Sequence, residues 1–361
     1  MPQDCTLNPS RGVTSDVQGK KPGAGMEKDA LSKVWIPDYP WCANQRAILD
    51  EVFEDFDAQA ERLSGHDQDY VQLSNGPFRG RFVSCFLGDH ISLHIEQANQ
   101  MLQQTVVGAQ DAYSIGVVLS EDKTFRVSGQ AIGKNDIFVV PPRATLHLRS
   151  PEHAAIMAVV IAVDIFEQKL AAAPQIVDWL CGLHGQTGCV HAPRLAERMR
   201  TDTYSALATS AQGDRLDPDH ATLGGILMNS LASGLMLDWG HAIHLMGPTM
   251  SRSFSRFLAV DHHARQTQSE ALHISALSQD LGLSSRSIQY ACAQESLLGF
   301  GAYQRVLRLH AVRRSLGKPI NAGRTIGDIA AEYGFLNWSH FGEQYLQHFG
   351  ERPSETRQRA N

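Results

Sequence analysis

The stretch from His273 to Gly350 contains one small design twice, and this repeat constrains the fold more than any other feature of the chain. The first copy reads Ala276-Leu277-Ser278-Gln279-Asp280-Leu281-Gly282-Leu283, the second Asp328-Ile329-Ala330-Ala331-Glu332-Tyr333-Gly334-Phe335. In each, apolar residues four apart share one helical face. A glycine then ends the helix, because glycine takes a left-handed conformation at a helix C-terminus without a Cβ clash. A second helical pattern follows: Ile288, Ala291 and Cys292 in the first copy, Phe341, Tyr345 and Phe349 in the second. Helix, glycine turn and second helix make a helix-turn-helix unit. Two in tandem are far more specific than one.

The segments around the repeat fit this reading. Phe300 to Leu316 reads as a long spacer helix with Tyr303, Val306, Leu307, Leu309, Ala311, Val312 and Leu316 inward and Arg305, Arg308, Arg313 and Arg314 on the other face. Ser284 is a natural N-cap for the first recognition helix. Thr325-Ile326-Gly327-Asp328 is close to a capping box and starts the second unit. Ser251 to Gln268 reads as an amphipathic helix beneath the first unit, through Phe254, Phe257, Leu258 and Val260.

A helix-turn-helix presents its second helix to the major groove of DNA, and two on one chain reach successive groove segments when ~34 Å apart. Residues near each recognition-helix start are the candidate base readers: Ser285, Arg286, Gln289 and Tyr290 in the first, Asn337, Trp338, Ser339 and His340 in the second. Arg grips guanine with two hydrogen bonds and Gln does the same for adenine. Arg313 and Arg314 are candidate phosphate contacts. Plainer readings stand beside each: Arg286 and Gln289 as exposed helix residues, Tyr290 and Trp338 as core aromatics, His340 as a residue packed on Phe341, and the arginines as a solvated face.

Charge distribution agrees. The net charge of −6 is unpromising for a nucleic-acid binder, but residues 252–361 hold 13 Lys+Arg against 9 Asp+Glu, leaving 19 against 29 in the first 251. A basic C-terminal part on an acidic N-terminal part suits a DNA-binding domain attached to something else. The six cysteines are scattered without a C-x-x-C pair, as in a reduced cytoplasmic chain. No apolar run of about 18 residues and no basic-then-apolar leader occurs, so neither a membrane span nor secretion is expected.

The expected organisation is α+β and multidomain. Residues 1–33 read as a disordered tail. Residues 34–164 read as a β-rich, cupin-like barrel domain for effector binding or dimerisation. Residues 165–250 read as a helical segment for dimerisation and linkage, and 251–361 as the tandem helix-turn-helix domain. Asp50 to Leu63 resembles a short amphipathic helix. Gly80–Asp89 and His90–Glu96 read as a hairpin about a Gly-Asp turn. The helix at His220 to Trp239 packs on the barrel, against a second copy of itself, or both. His241 and His244 read as solvent-facing, and Gly247-Pro248 as a domain boundary. Gly133 to Pro142 followed by His147 resembles cupin barrels, whose enzymes hold a metal with clustered His and Glu. His90 and His94 would then share a strand face with His147 nearby, but the spacing departs from that pattern. A barrel interior holding a small ligand is the better reading. No metal and no cofactor is expected. No Gly-x-Ser-x-Gly, phosphate-binding loop or catalytic triad is found, so there is no reaction to assign.

Residues 255 to 359 resemble the DNA-binding domain of AraC/XylS-family transcriptional regulators. The likeness rests on Ala276-Leu277 through Gly282-Leu283-Ser284, Arg308-Leu309 with Ala311-Arg313-Arg314, Ile326-x-x-Ile329-Ala330, Gly334-Phe335, His340-Phe341, Phe349-Gly350 and Pro353. Within the family the chain is most similar to the ethanolamine-utilisation regulators, through Ser285-Arg286-Ser287-Ile288-Gln289 and Tyr345-Leu346-Gln347-His348-Phe349. The resemblance implies a homodimeric activator that binds promoter DNA, answers a small-molecule effector of unknown identity and engages RNA polymerase. Two departures stand out. Glu343, Gln344 and Gln347 replace basic residues of relatives, which predicts weaker DNA contact by the second unit. Thr356 replaces a tyrosine, which predicts a lost packing contact. The rival expectations are a regulator whose N-terminal domain only dimerises, and a metal-dependent cupin-like enzyme with a DNA-binding tail.

Overall fold

The computed structural model describes residues 48–63, 65–120, 125–210, 218–239, 245–246, 251–269 and 272–360. The tail at 1–33, His241, His244 and the Gly247-Pro248 boundary lie outside the described residues.

The strands are β1 (Ile48–Phe53), β2 (Asp67–Gln72), β3 (Gly80–Phe86), β4 (Ile91–Ala98), β5 (Leu102–Val107), β6 (Ala112–Val118) and β7 (Arg126–Val127). They continue as β8 (Gln130–Ala131), β9 (Asp136–Val140), β10 (Thr145–Arg149), β11 (Ala154–Ala162), β12 (Gly188–His191) and β13 (Leu245–Met246). Among the described residues they form two sheets: an eight-stranded one in the order β1-β3-β4-β11-β6-β9-β12-β13, and a five-stranded one in the order β2-β5-β10-β7-β8.

Strand alternation decides what each face meets. On β4, Ile91, Leu93 and Ile95 point into a core shared with four helices. These are α2 (Val163–Lys169), α3 (Pro174–Gly182), α4 (Pro193–Ser210) and α5 (Pro218–Trp239), which follow the short α1 (Phe56–Ala60) in the chain. At one end the opposite face packs on the five-stranded sheet through Val118, Phe138, Val140, Val106, Leu146 and Leu148. At the other it carries Ser92, His94 and Glu96. Glycine permits a close helix approach: a Cβ on Gly224 of α5 would sit 2.5 Å from the Leu87 carbonyl oxygen. Gly224 is therefore a packing residue, as is Gly234, whose Cβ would sit 3.0 Å from Leu195.

The C-terminal helices are α6 (Arg252–Gln266), α7 (Ile274–Leu281), α8 (Ser285–Ser296), α9 (Phe300–Leu316), α10 (Ile326–Glu332), α11 (Trp338–Phe349) and α12 (Pro353–Ala360). The Ser284 side chain accepts from the Ser287 N–H at 3.1 Å and Thr325 from the Asp328 N–H at 3.0 Å, so both caps form as the sequence predicts. Gly282 takes φ +62° where α7 stops. The helices cover the outer face of the five-stranded sheet, giving four layers: helices, sheet, sheet, helix-turn-helix domain.

Three expectations are corrected. Asp50 to Phe53, expected to begin a helix, instead end strand β1, which pairs along β3 from Ile48 against Cys85 to Phe53 against Gly80. Only Phe56–Ala60 is helical, started by Asp55, whose carboxylate accepts from the N–H of Asp57 at 2.9 Å and of Ala58 at 3.2 Å. The 80–96 hairpin has a wider loop than a two-residue Gly-Asp turn: Ser92 pairs with Phe86, and His90 is exposed outside the strand. The arginine face of α9 is divided: Arg308 and Arg313 are buried, Arg314 is half-buried and Arg305 stays exposed. The β-domain packs where solvent was expected.

Candidate nucleic-acid interface

The first recognition helix is α8. Ser285, Arg286, Gln289 and Tyr290 are exposed on it, Tyr290 at 64%. Ile288, Ala291 and Cys292 face inward and hold it on α7 and α9. Arg286 therefore projects from a firmly packed helix. Gln289 is already engaged, since its Oε1 accepts from the Phe300 N–H at 3.1 Å and ties α8 to the start of α9. A two-bond grip on adenine uses both ends of the amide. Gln289 must therefore share or release that oxygen to read a base.

The second recognition helix is α11. Asn337 caps it, accepting from the His340 N–H at 3.1 Å. Trp338 is 53% exposed although its ring lies 5.7 Å from Phe341. Ser339 and His340 are exposed, with His340 Nε2 2.6 Å from Gln344 Nε2. Glu343 is exposed on the same helix. The Thr356 expectation is corrected: its hydroxyl is 2.7 Å from the Tyr345 hydroxyl and donates to Glu351 at 2.7 Å, so a buried polar link stands there.

The placement of Arg313 is a further correction. It is 5% exposed. Its guanidinium meets Asp55 at 2.7 Å, Asp57 at 3.2 Å and Glu351 at 3.3 Å, and lies 4.4 Å over the Phe56 ring. Arg314 is half-buried against Asp57 at 2.9 Å and Asp69 at 2.7 Å, and donates to the Tyr70 carbonyl at 2.8 Å. Neither presents a free guanidinium to phosphate here. Burial opposes the Asp55 carboxylate, but the Arg313 hydrogen bond and charge hold its pKa below the usual value. At Asp57 burial outweighs both arginines and the pKa is raised. These groups line a cleft of about 560 Å³ between α1, β2 and α9.

A second polar constellation lies between the sheets. Ser84 Oγ is 2.9 Å from His94 Nδ1, and Ser92 Oγ is 2.8 Å from His94 Nε2. His66 Nε2 is 3.1 Å from Ser114 Oγ. Glu96 accepts from Gln59 at 3.0 Å and Gln104 at 3.0 Å, and the nearby Tyr70 hydroxyl donates to Gln68 at 2.7 Å. Burial raises the Glu96 pKa and, with the nearby His66 charge second, pushes His94 down to about 3. Sequence reading missed this group. Its signal was the alternation of Ser92, His94 and Glu96 with Ile91, Leu93 and Ile95, which marks a strand polar on an inner face.

The three histidines of the metal reading are not assembled. His90 is in an exposed loop, His94 is between the sheets, and His147 lies on the far face of the five-stranded sheet, its ring 5.5 Å from Phe254. Among the described residues no three His, Cys, Asp or Glu are grouped as metal ligands. No helix among them is long and apolar enough to cross a membrane.

Residues 277–359 match the family model for a helix-turn-helix domain. Over 54 residues the chain is 43% identical to XylDLEGF operon transcriptional activator 2 of Pseudomonas putida, covering 15% of this chain and 34% of that one. This segment is a helix-turn-helix domain, and it is similar to those of AraC/XylS-family regulators. The chain spans about a third of the length of that curated relative. A solved probable AraC family transcriptional regulator from Rhodopseudomonas palustris is 28% identical, with 30% of this chain and 98% of that one covered and a TM-score of 0.27. The AraC-like transcriptional activator CuxR is 14% identical over 79% of this chain and 99% of its own, with a TM-score of 0.35. In this chain the helix-turn-helix domain follows two β-sheets among the described residues.

Proposed function

We propose that this chain is a sequence-specific DNA-binding transcriptional regulator, acting as an activator. The observation that carries the reading is the tandem unit itself. Two packed recognition helices, α8 and α11, keep the residues near their starts exposed within a domain of known DNA-binding family. Ser285 and Arg286 read bases in the first half-site. Asn337, Trp338, Ser339 and His340 position the second, where Glu343 disfavours close phosphate approach. Promoter DNA is the partner, with RNA polymerase engaged once bound and a homodimer as the working form.

The test is selection from randomised duplexes. We expect a bipartite motif, and Arg286→Ala to erase preference at one base pair at a cost of ~1–3 kcal/mol. A variant with unchanged sequence preference would sink the Arg286 assignment.

The polar layer around His94 and Glu96 is the proposed effector site. Kinship with ethanolamine-utilisation regulators, supported by the Ser285–Gln289 and Tyr345–Phe349 likeness, makes ethanolamine the first compound to try. A ligand of the native state raises its melting temperature. No shift with ethanolamine, beside a shift with another metabolite, separates the subgroup from the sensor reading.

A further inference from the structure

We propose that the five-stranded sheet is a splint that fixes the two recognition helices relative to each other, with Arg126, Glu295, Gln72 and His348 as positioning residues. The inference rests on the DNA-binding reading above and adds to it what sets the spacing between half-sites.

The two helix-turn-helix units have separate cores, and each is completed by the β-domain. The first, around Leu277, Ile288, Tyr303 and Leu307, includes Val71 and Leu73. The second, around Leu309, Val312, Ile329, Phe341 and Phe349, includes Phe56, Tyr70 and Phe78. Helix α9 joins the units directly. One helix is a single strut, and it leaves bending and twisting about its axis to be resisted only by side-chain packing.

The sheet supplies a second strut, attached at the far end of each reading helix. At the end of α8, Glu295 is 4% exposed and takes two bonds from Arg126 of β7, at 3.0 and 3.1 Å. At the end of α11, the His348 carbonyl accepts from Gln72 Nε2 at 2.9 Å and from the Gly76 N–H at 3.0 Å. Its ring Nε2 is 3.1 Å from the Gln72 carbonyl and Nδ1 is 3.0 Å from Asn75 Oδ1. Between the clamps the Tyr303 hydroxyl, which donates to Asp261 of α6, also lies 3.2 Å from Gln103 of β5.

The anchors β7 and β2 are three strands apart in one hydrogen-bonded sheet. At ~4.8 Å per strand that is roughly 14 Å of rigid width. Two connections close a loop of structure and remove the freedom one connection leaves. Both clamps hold C-terminal ends, while the starts of α8 and α11, where Arg286 and Trp338 project, stay clear of the sheet.

One inserted base pair moves a half-site by ~3.4 Å and turns it by ~34°, so a splinted pair of helices rejects it. The test uses the full chain and three duplexes: the selected bipartite site, the same site with one base pair inserted between its halves, and the first half-site alone. Wild type should prefer the selected spacing by about tenfold, the size of one lost base contact. Arg126→Gln, Glu295→Gln and, at the other clamp, His348→Gln should each collapse that ratio by gaining on the inserted duplex, with binding to the single half-site unchanged. The charge swap Arg126→Glu with Glu295→Arg should restore the ratio. Equal loss on all three duplexes, an unchanged ratio in every variant, or a wild type without spacing preference overturns the splint. Failure of wild type to select any site overturns the DNA-binding reading instead.

Discussion

Arg313 shows how far a residue's role depends on what packs over it. By spacing it belongs to a basic helix face. In the fold it is a buried cation shared by Asp55, Asp57 and Glu351 and stacked on Phe56. Removing one partner of a buried ion group strands the others, which is the expensive way to break it. We expect Arg313→Ala to lower unfolding free energy by about 2–4 kcal/mol in urea titration, discounted for the partly exposed carboxylates. The salt slope of DNA binding should stay unchanged, because no phosphate contact is lost. A reduced slope at wild-type stability would return Arg313 to the DNA.

At the scale of elements, the sequence was most legible where local rules act alone. The glycine turns, the Ser284 and Thr325 caps and the inward faces of α8 and α11 follow from residue type and period. It was least legible where a partner distant in sequence decides. Residues 50–53 begin a helical spacing, yet the edge of β3 claims them as part of strand β1. Arg313 and Arg314 of α9 look solvated until β2 and the start of α1 arrive. The two reading helices could be located, but Glu295 and His348 gave no sign that they bind the sheet, since their partners lie over 150 residues away. Helix α5 offers an element-scale test. Gly224 faces the Leu87 carbonyl, whereas Gly225 has nothing within 4 Å of a built Cβ. Gly224→Ala should destabilise by ~1–3 kcal/mol through overpacking. Gly225→Ala should stabilise by up to about 1 kcal/mol through helix propensity. Equal thermal melts for the two variants would contradict this packing.

For the whole molecule, the interface between sheet and helix-turn-helix domain makes stability depend on pH. Burial pushes His348 down to about 4, and pushes His310, which also feels His348, well below the usual range. An unfolded histidine titrates near ~6.5, so between these values the unfolded chain binds protons the folded one refuses. The stability is therefore full above ~6.5 and falls as pH drops toward 4, by about 1.4 kcal/mol per unit for each histidine. The raised carboxyls Asp57, Glu96 and Glu295 act in the opposite sense, since they favour the folded state as they protonate. His348→Gln should flatten the stability profile across this window by the share of one histidine. Denaturant titrations with the same slope for variant and wild type would rule that out.

Strand β2 carries one last consequence. Its neighbours Tyr70 and Val71 enter the cores of different helix-turn-helix units. The C-terminal domain is thus not an interchangeable cassette. Moved onto another sensor at residue 251, it would arrive with two unfilled hollows in its surface. A chimera that keeps its reading geometry must carry 67–73 along, with Phe56 and Phe78 beside it, so the natural unit of exchange is a module discontinuous in sequence.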